Sequence, residues 1–195
     1  VHSPRRLSRI NSVIASRQQG ALVLENIHDM HNATAVLRNC DAFGIQRVCL
    51  VFSREQRFDP RIFGRRSSSS AHKWLHYSFH DSIEECYSGL HKEGYRILAA
   101  DFGEDCTSLT ETDFLQPLTA LVFGNEHRGL TSSARSLADG LFTIPMHGMV
   151  QSLNLSVSAA LSLYELTRQR RQAGMEHYGL SEVQQAALRA EFQLW

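Results

Sequence analysis

Three short polar stretches carry the residues that could do chemistry, and each follows an apolar run of strand character. HNATAVLRNCD (31–41) sets Asn32 at a helix start and Arg38 six residues on. LVFGNEHRGL (121–130) runs a strand into Gly124, Asn125, Glu126 and Gly129. IPMHGMVQSLN (144–154) collects Gly148, Ser152 and Asn154 beyond another strand. Polar residues just past the carboxyl ends of strands are where α/β proteins assemble ligand sites. Gly124 and Gly148 either admit a ligand close to the backbone or simply make turns. Taken singly, Arg38 reads as a solvated helix residue and Glu126 as a turn residue. GNEHRG has neither the spacing of a dinucleotide fingerprint nor the lysine of a phosphate loop, so neither nucleotide-binding mode is indicated.

Metal chemistry is the other candidate, because His72, His76 and His80 recur every four residues and His28 and His31 are close together. HKWLHYSFH alternates as a strand does, however, and no Cys or carboxylate set completes a tetrahedral shell in sequence. Cys40, Cys49, Cys86 and Cys106 are scattered without a CxxC pair. That pattern points to neither a disulfide framework nor a zinc knuckle, and no metal is expected.

The elements that must position these residues alternate in type. A polar helix at 4–19 opens after Ser3 with Pro4 in its first turn. Strand ALVLENI (21–27), a helix over 31–44 closed by Gly44, and strand QRVCLVF (46–52) make a βαβ unit with parallel strands. Residues 53–72 have no period, hold an arginine cluster and read as a long surface loop. Strand WLHYSF (74–79) precedes a helix from Asp81, with Ser82 and Glu85 as a capping box and Gly94 at its end. YRILAAD (95–101), LTALVFG (118–124) and LFTIPM (141–146) are strands, TSSARSLA (131–138) is a short helix, and 181–194 a final amphipathic one. The sum is an α/β fold with a mostly parallel sheet. MHGMVQSLNLSVSAALSLYE (146–165) fits a strand over its Ser152–Val157 alternation and a helix over its whole length.

At 195 residues with 43% hydrophobic and 21% charged residues, the composition is that of one ordinary globular domain. No apolar run is long enough to cross a bilayer, and VHSPRRLSRI has no signal-peptide core, so a reducing cytoplasm is the expected compartment. The formal net charge of zero hides local basic clusters. Arg5, Arg6, Arg9 and Arg17 are unaccompanied by any acid in residues 1–20, and Arg47, Arg54, Arg57, Arg61, Arg65, Arg66 and Lys73 face only Glu55 and Asp59. Such clusters are either a solvated surface or contacts for a polyanion, made patch by patch.

In this order the three stretches resemble motifs 1, 2 and 3 of the SPOUT RNA methyltransferases, in the TrmH-type branch that methylates ribose 2′-hydroxyls. The resemblance covers roughly residues 20–172; IPMHGMVQSLNLSVSAALSLYE is its most specific part, with LVFGNEHRGL and NATAVLRNCDAFG completing it. It implies a Rossmann-like sheet with a C-terminal deep trefoil knot at roughly 95–165. The methyltransferase domain would span 21–172, between helical extensions at 1–20 and 173–195. It implies S-adenosylmethionine as cofactor, held by Ala100, Gly124, Ile144, Met146, Ser152 and Leu153, in a homodimer with no membrane or metal. The catalytic set carried over is Arg38, Asn32, Glu126, Ser152 and Asn154, with Arg38 assigned to activating the ribose hydroxyl alongside an RNA phosphate. Arg5, Arg6, Arg9, Arg54, Arg57, Arg61, Arg65, Arg66, Arg168, Arg170 and Arg171 would track RNA phosphates. The short flanking helices favour tRNA, at the D-loop guanosine 18; ribosomal RNA, another tRNA position and a catalytically idle RNA-binding protein are the alternatives. In this context 146–151 is a cofactor-facing turn, and a helix runs from roughly Ser152.

Overall fold

The computed structural model describes residues 3–62 and 71–194. Helix α1 (Pro4–Ala15) begins where Ser3 Oγ accepts the Arg6 amide, with proline in the first turn where its missing N–H costs nothing. Strands β1 (Gln18–Glu25) and β2 (Ile45–Val51) flank helix α2 (Met30–Ala42), which Asp29 caps by accepting the His31 amide. Gly44, at φ 78°, lets the chain turn from α2 into β2. There follow β3 (His76–His80), α3 (Ile83–Lys92), β4 (Arg96–Ala100), the two-residue β5 (Thr107–Ser108) and β6 (Thr119–Phe123). Last come α4 (Ser132–Ser136), β7 (Gly140–Thr143), α5 (Leu155–Ala173) and α6 (Glu182–Phe192). The strands form one parallel sheet in the order β3-β2-β1-β6-β4-β7-β5.

Alternate strand residues face opposite layers, which is why β1 and β2 are apolar almost throughout. Leu22, Leu24, Val48, Leu50, Leu98 and Leu121 pack under α2 and α5. Ala21, Val23, Cys49, Val51, Ala99 and Val122 pack under α3 and α4. A smaller cluster of Ile10, Ile14, Leu188 and Phe192 joins α1 to α6. No helix among the described residues is long and apolar enough to cross a membrane.

Several boundaries depart from the sequence reading. Strand β1 starts three residues early, because the Gln18 amide donates to Gly44 O at 3.0 Å and the Gln19 amide to Tyr178 O at 2.7 Å. Trp74 lies before β3, its ring 4.9 Å from that of Phe192. The capping box at Ser82 is half formed: Ser82 Oγ accepts the Glu85 amide at 3.2 Å, but the Glu85 carboxylate turns to His80. Helix α5 begins at Leu155, not Ser152, because Asn154 is its cap, Oδ1 accepting the Ser156 amide at 2.8 Å. The 53–72 stretch ends in a 3-10 turn at Ala71–Lys73, and Arg65 and Arg66 lie outside the described residues.

Candidate active site

The first residues of α2, the loop after β6 and the cap of α5 meet in a chain of side-chain hydrogen bonds. Asn154 Nδ2 donates to Asn32 Oδ1 at 2.9 Å, and Asn32 Nδ2 donates to Glu126 Oε1 at 3.1 Å. The Glu126 carboxylate also accepts the backbone amides of His28 at 3.1 Å and Asp29 at 3.3 Å. Residues from all three polar stretches, separated by 94 and 122 positions in the chain, are thus fixed against one another. Asn39 Nδ2, one turn beyond the buried middle of α2, donates to Ser156 O at 2.8 Å and ties the same two helices a second time.

Buried polar residues outside the expected catalytic and cofactor-binding sets hold this arrangement. Asn26, at φ 53°, ends β1; its Oδ1 accepts the amides of Ser53 at 2.9 Å and Arg54 at 2.8 Å, fixing the start of the basic loop. Asn125 Nδ2 donates to Asn26 O at 2.7 Å while its Oδ1 accepts the amides of His127 and Arg128. Glu25, fully buried, accepts the Thr131 amide at 2.9 Å and its hydroxyl at 2.6 Å, anchoring α4 to β1. The available signal was a polar residue closing an otherwise apolar strand, as in LVLEN. Gly124 is required sterically: a Cβ there would overlap the Gly129 carbonyl and the Leu130 nitrogen, so its close neighbour is its own returning loop.

A charged group flanks the relay. His28 Nδ1 lies 2.9 Å from Glu55 Oε2, and Arg128 pairs with the other Glu55 oxygen. The Glu55 hydrogen bond and charge raise the His28 imidazole above its ordinary range; His28 first, then Arg128, hold the Glu55 carboxyl below its own.

The residues expected to hold the cofactor gather on one edge. Ala100, Gly124 and Ile144 stand at or just past the carboxyl ends of β4, β6 and β7, adjacent in the sheet. Met146, Ser152 and Leu153 lie in the loop that leaves β7 for α5. Among the described residues no hydrogen bond uses the backbone of 146–153, and residues 147–152 are exposed. Ile144, Met146 and Leu153 are half-buried apolar neighbours of that exposed stretch. A loop of this kind suits a ligand bound through main-chain groups against apolar side chains. A separate cavity of about 420 Å³ lies at the starts of β1 and β2, beneath α6, and includes none of these residues.

Comparison with known proteins settles the family. Residues 19–164 match the model described as the SpoU rRNA Methylase family. The chain belongs to the SpoU methylase family. It is 40% identical over 171 residues to the tRNA (guanosine(18)-2'-O)-methyltransferase of Thermus thermophilus, covering 87% of this chain and 86% of that one. To the tRNA (guanosine(18)-2'-O)-methyltransferase of Escherichia coli K12 it is 37% identical over 192 residues, 95% and 81% of the two chains. The crystal structure of the A. aeolicus TrmH/SpoU tRNA modifying enzyme superposes with a TM-score of 0.83 at 29% identity, over 96% of this chain and 94% of that one. The SpoU methyltransferase AviRb from Streptomyces viridochromogenes, in complex with AdoMet, gives a TM-score of 0.68 at 27% identity, over 82% and 61%.

For this SpoU methylase the expected RNA-binding arginines divide into three groups. Arg5, Arg6, Arg9, Arg54 and Arg171 are exposed, and among the described residues their guanidinium groups make no hydrogen bond or ion pair. Arg57, Arg61 and Arg168 are engaged: Arg57 lies 4.7 Å over the Phe79 ring, Arg61 pairs with Asp59 at 2.7 Å, and Arg168 pairs with Glu165 at 2.7 Å. Arg170 is a correction. It has no exposed surface, and its guanidinium donates to the carbonyls of Gln19, Phe114, Gln116 and Pro117 and to Gln18 Oε1. No phosphate can reach it; it joins α5 to the starts of β1 and β6, and burial lowers its pKa to about 10. Arg38 is exposed on α2 and, among the described residues, makes no hydrogen bond or ion pair; the structure does not bring it into the Asn32–Glu126–Asn154 relay.

Proposed function

We propose that this protein transfers the methyl group of S-adenosylmethionine to the 2′-oxygen of a ribose in tRNA, at guanosine 18 of the D-loop. The observation that carries the reading is the intact Asn154–Asn32–Glu126 relay joining all three motif stretches beside the exposed loop that leads into α5. Relatives named for this reaction, matched over 86% and 81% of their own lengths, support the choice of nucleotide. The bound cofactor supplies an electrophilic sulfonium methyl; Ala100, Gly124, Ile144, Met146, Ser152 and Leu153 would hold it. The protein's own task is then alignment of the hydroxyl and management of its proton.

Arg38 performs this task as a planar fork on the phosphate next to the target ribose, with the phosphate or a water accepting the proton. A guanidinium stays protonated at all working pH values, so it serves better as a clamp than as a base. Asn32, Glu126 and Asn154 are positioning residues: they set the first turn of α2 against the two loops between which Arg38 and the substrate must meet. Ser152, exposed in the loop before α5, contacts cofactor or substrate. Arg5, Arg6, Arg9, Arg54 and Arg171 contact tRNA phosphates, joined by Arg57, Arg61 and Arg168 once their intramolecular partners are exchanged, and by Arg65 and Arg66.

The C-terminal part threads as a deep trefoil knot in this reading. Supporting it, β7 lies between β4 and β5, although β5 precedes it in the chain and β6 lies on the far side of β4. Two copies pair through α5, whose Val157, Leu161 and Tyr164 recur on one face and stay exposed in the single chain. A cytoplasmic location follows from the proposed substrate.

Labelled methyl transfer into total unmodified tRNA, followed by nuclease digestion, tests the reading. An alkali-resistant dinucleotide from the D-loop is the expected result. Label confined to ribosomal RNA, or cofactor binding without any transfer, refutes it. RNA affinity that stays flat between low and high salt would sink the arginine track.

A further inference from the structure

On the sheet face opposite α2 and α5, away from the motif stretches, the fold assembles three soft donor groups. Cys49 in β2 pairs across the sheet with Ser78 in β3, and the strand period of two turns Ser78 and His80 to the same face as Cys49. Helix α3 lays Cys86 over this face, in the apolar layer with Ile83, Tyr87 and Leu90. The ligand atoms of Cys49, His80 and Cys86 all lie within 4.8 Å of one another. Zinc at about 2.3 Å from each of two tetrahedral sulfurs would set them roughly 3.8 Å apart, so the cluster needs only small side-chain adjustments.

The surroundings match what a metal-binding histidine requires. Glu85 Oε1 lies 3.4 Å from His80 Nδ1, and Ser78 Oγ lies 3.1 Å from Nε2. The carboxylate partners Nδ1, the second contact a ligating imidazole uses, and Nε2 exchanges its Ser78 partner for the metal on binding. Arg47, two residues from Cys49, is already paired with Glu93 at 2.5 Å and adds no uncompensated charge. Two thiolates offset a divalent cation, so the bound set is neutral in a layer where a lone charge is costly. Strand β3 is the edge of the sheet and His80 is partly exposed, which gives a route inward.

We propose that Cys49, His80 and Cys86 form a binding site for a zinc-class divalent cation, with a water in the fourth position, that staples β3 and α3 to β2. The two thiol protons leave to solvent on binding. Sequence spacing hides such a site, because its donors come from two strands and a helix.

The test is titration of the reduced full-length protein with Co²⁺ alone, read by its thiolate charge-transfer absorption, followed by competition with Zn²⁺. One equivalent should bind with tetrahedral spectra, be displaced by Zn²⁺, and raise the thermal midpoint. Cys49→Ser and Cys86→Ser should abolish the band. Glu85→Gln should weaken binding about 10- to 100-fold. Cys40→Ala, at a cysteine outside the cluster, should leave the band and the Co²⁺ affinity unchanged. His80→Asn, at a partly exposed position, keeps the test decisive if a buried cysteine variant fails to fold. No band in the reduced wild type, a band and Co²⁺ affinity unchanged in His80→Asn, or a Cys49–Cys86 disulfide that forms in air while the reduced protein ignores Co²⁺, would each overturn the proposal.

Discussion

Replacing Asn32 by Asp tests the motif relay with almost no change of shape. The new carboxylate still accepts from Asn154 Nδ2, now at 2.9 Å, but the donor to Glu126 is lost and two carboxylates face each other at 3.1 Å. At that separation like charges repel by about 1.3 kcal/mol at the dielectric of water and about 5 kcal/mol at an effective value near 20. Asn32 and Glu126 are half-buried, so the penalty falls between these limits. Such a pair relieves itself by sharing a proton, which raises its folded-state pKa above the unfolded carboxyl value. The sign follows: the variant loses stability as pH rises through the unfolded pKa, reaches its full deficit above the folded one, and recovers as pH falls. Thermal midpoints of wild type and variant should converge below about pH 4, under the unfolded carboxyl values, and separate by pH 8. Single-turnover methyl transfer, as a ratio to wild type, should be down about 100-fold at pH 8 and partly restored at pH 6. Asn32→Ala, which loses the bonds without adding charge, should show a smaller, pH-independent deficit. Equal, pH-independent behaviour of the two variants would refute the role given to the Asn32–Glu126 contact.

Other outcomes follow from the same geometry. Arg38→Lys should leave the unfolding midpoint unchanged and reduce transfer about 100-fold, since a point charge cannot replace a planar fork; stopped single-turnover assays read this directly. Arg170→Met should cost about 2–4 kcal/mol in urea unfolding by stranding buried carbonyls, whereas Arg171→Ala should leave stability intact and weaken tRNA binding. His28, raised by Glu55, should titrate above its ordinary value by NMR and fall back in Glu55→Gln. Its raised pKa contributes stability below the unfolded value that disappears as pH rises through the folded one.

Much of the site was legible because its residues announce themselves locally. Asn32, Glu126 and Asn154 sit in polar stretches directly after apolar strands, and the chemistry of α/β sheets directs attention there. Arg38 and Arg170 show the limit. Both are arginines on amphipathic helices, and their neighbours in sequence do not say which one faces solvent. Arg170 is buried because the starts of β1 and β6 present backbone carbonyls beneath α5 that its guanidinium can reach. Likewise Ser152 looks as good a helix start as Asn154 until Asn154 is seen to cap Ser156 and donate to Asn32 at once.

The sequence by itself determined the alternation of strands and helices, the parallel sheet, and the three polar stretches, because periodicity and turn chemistry are local properties. The tertiary structure alone decided which strands are neighbours, and therefore that positions 94 and 122 residues apart share one hydrogen-bonded chain. It also decided that Cys49, His80 and Cys86 converge, through a strand register and a helix crossing that no spacing rule encodes. The physical reason is common to both: hydrogen bonds and ligand sets depend on distance in space, and only packing of the whole chain sets that distance.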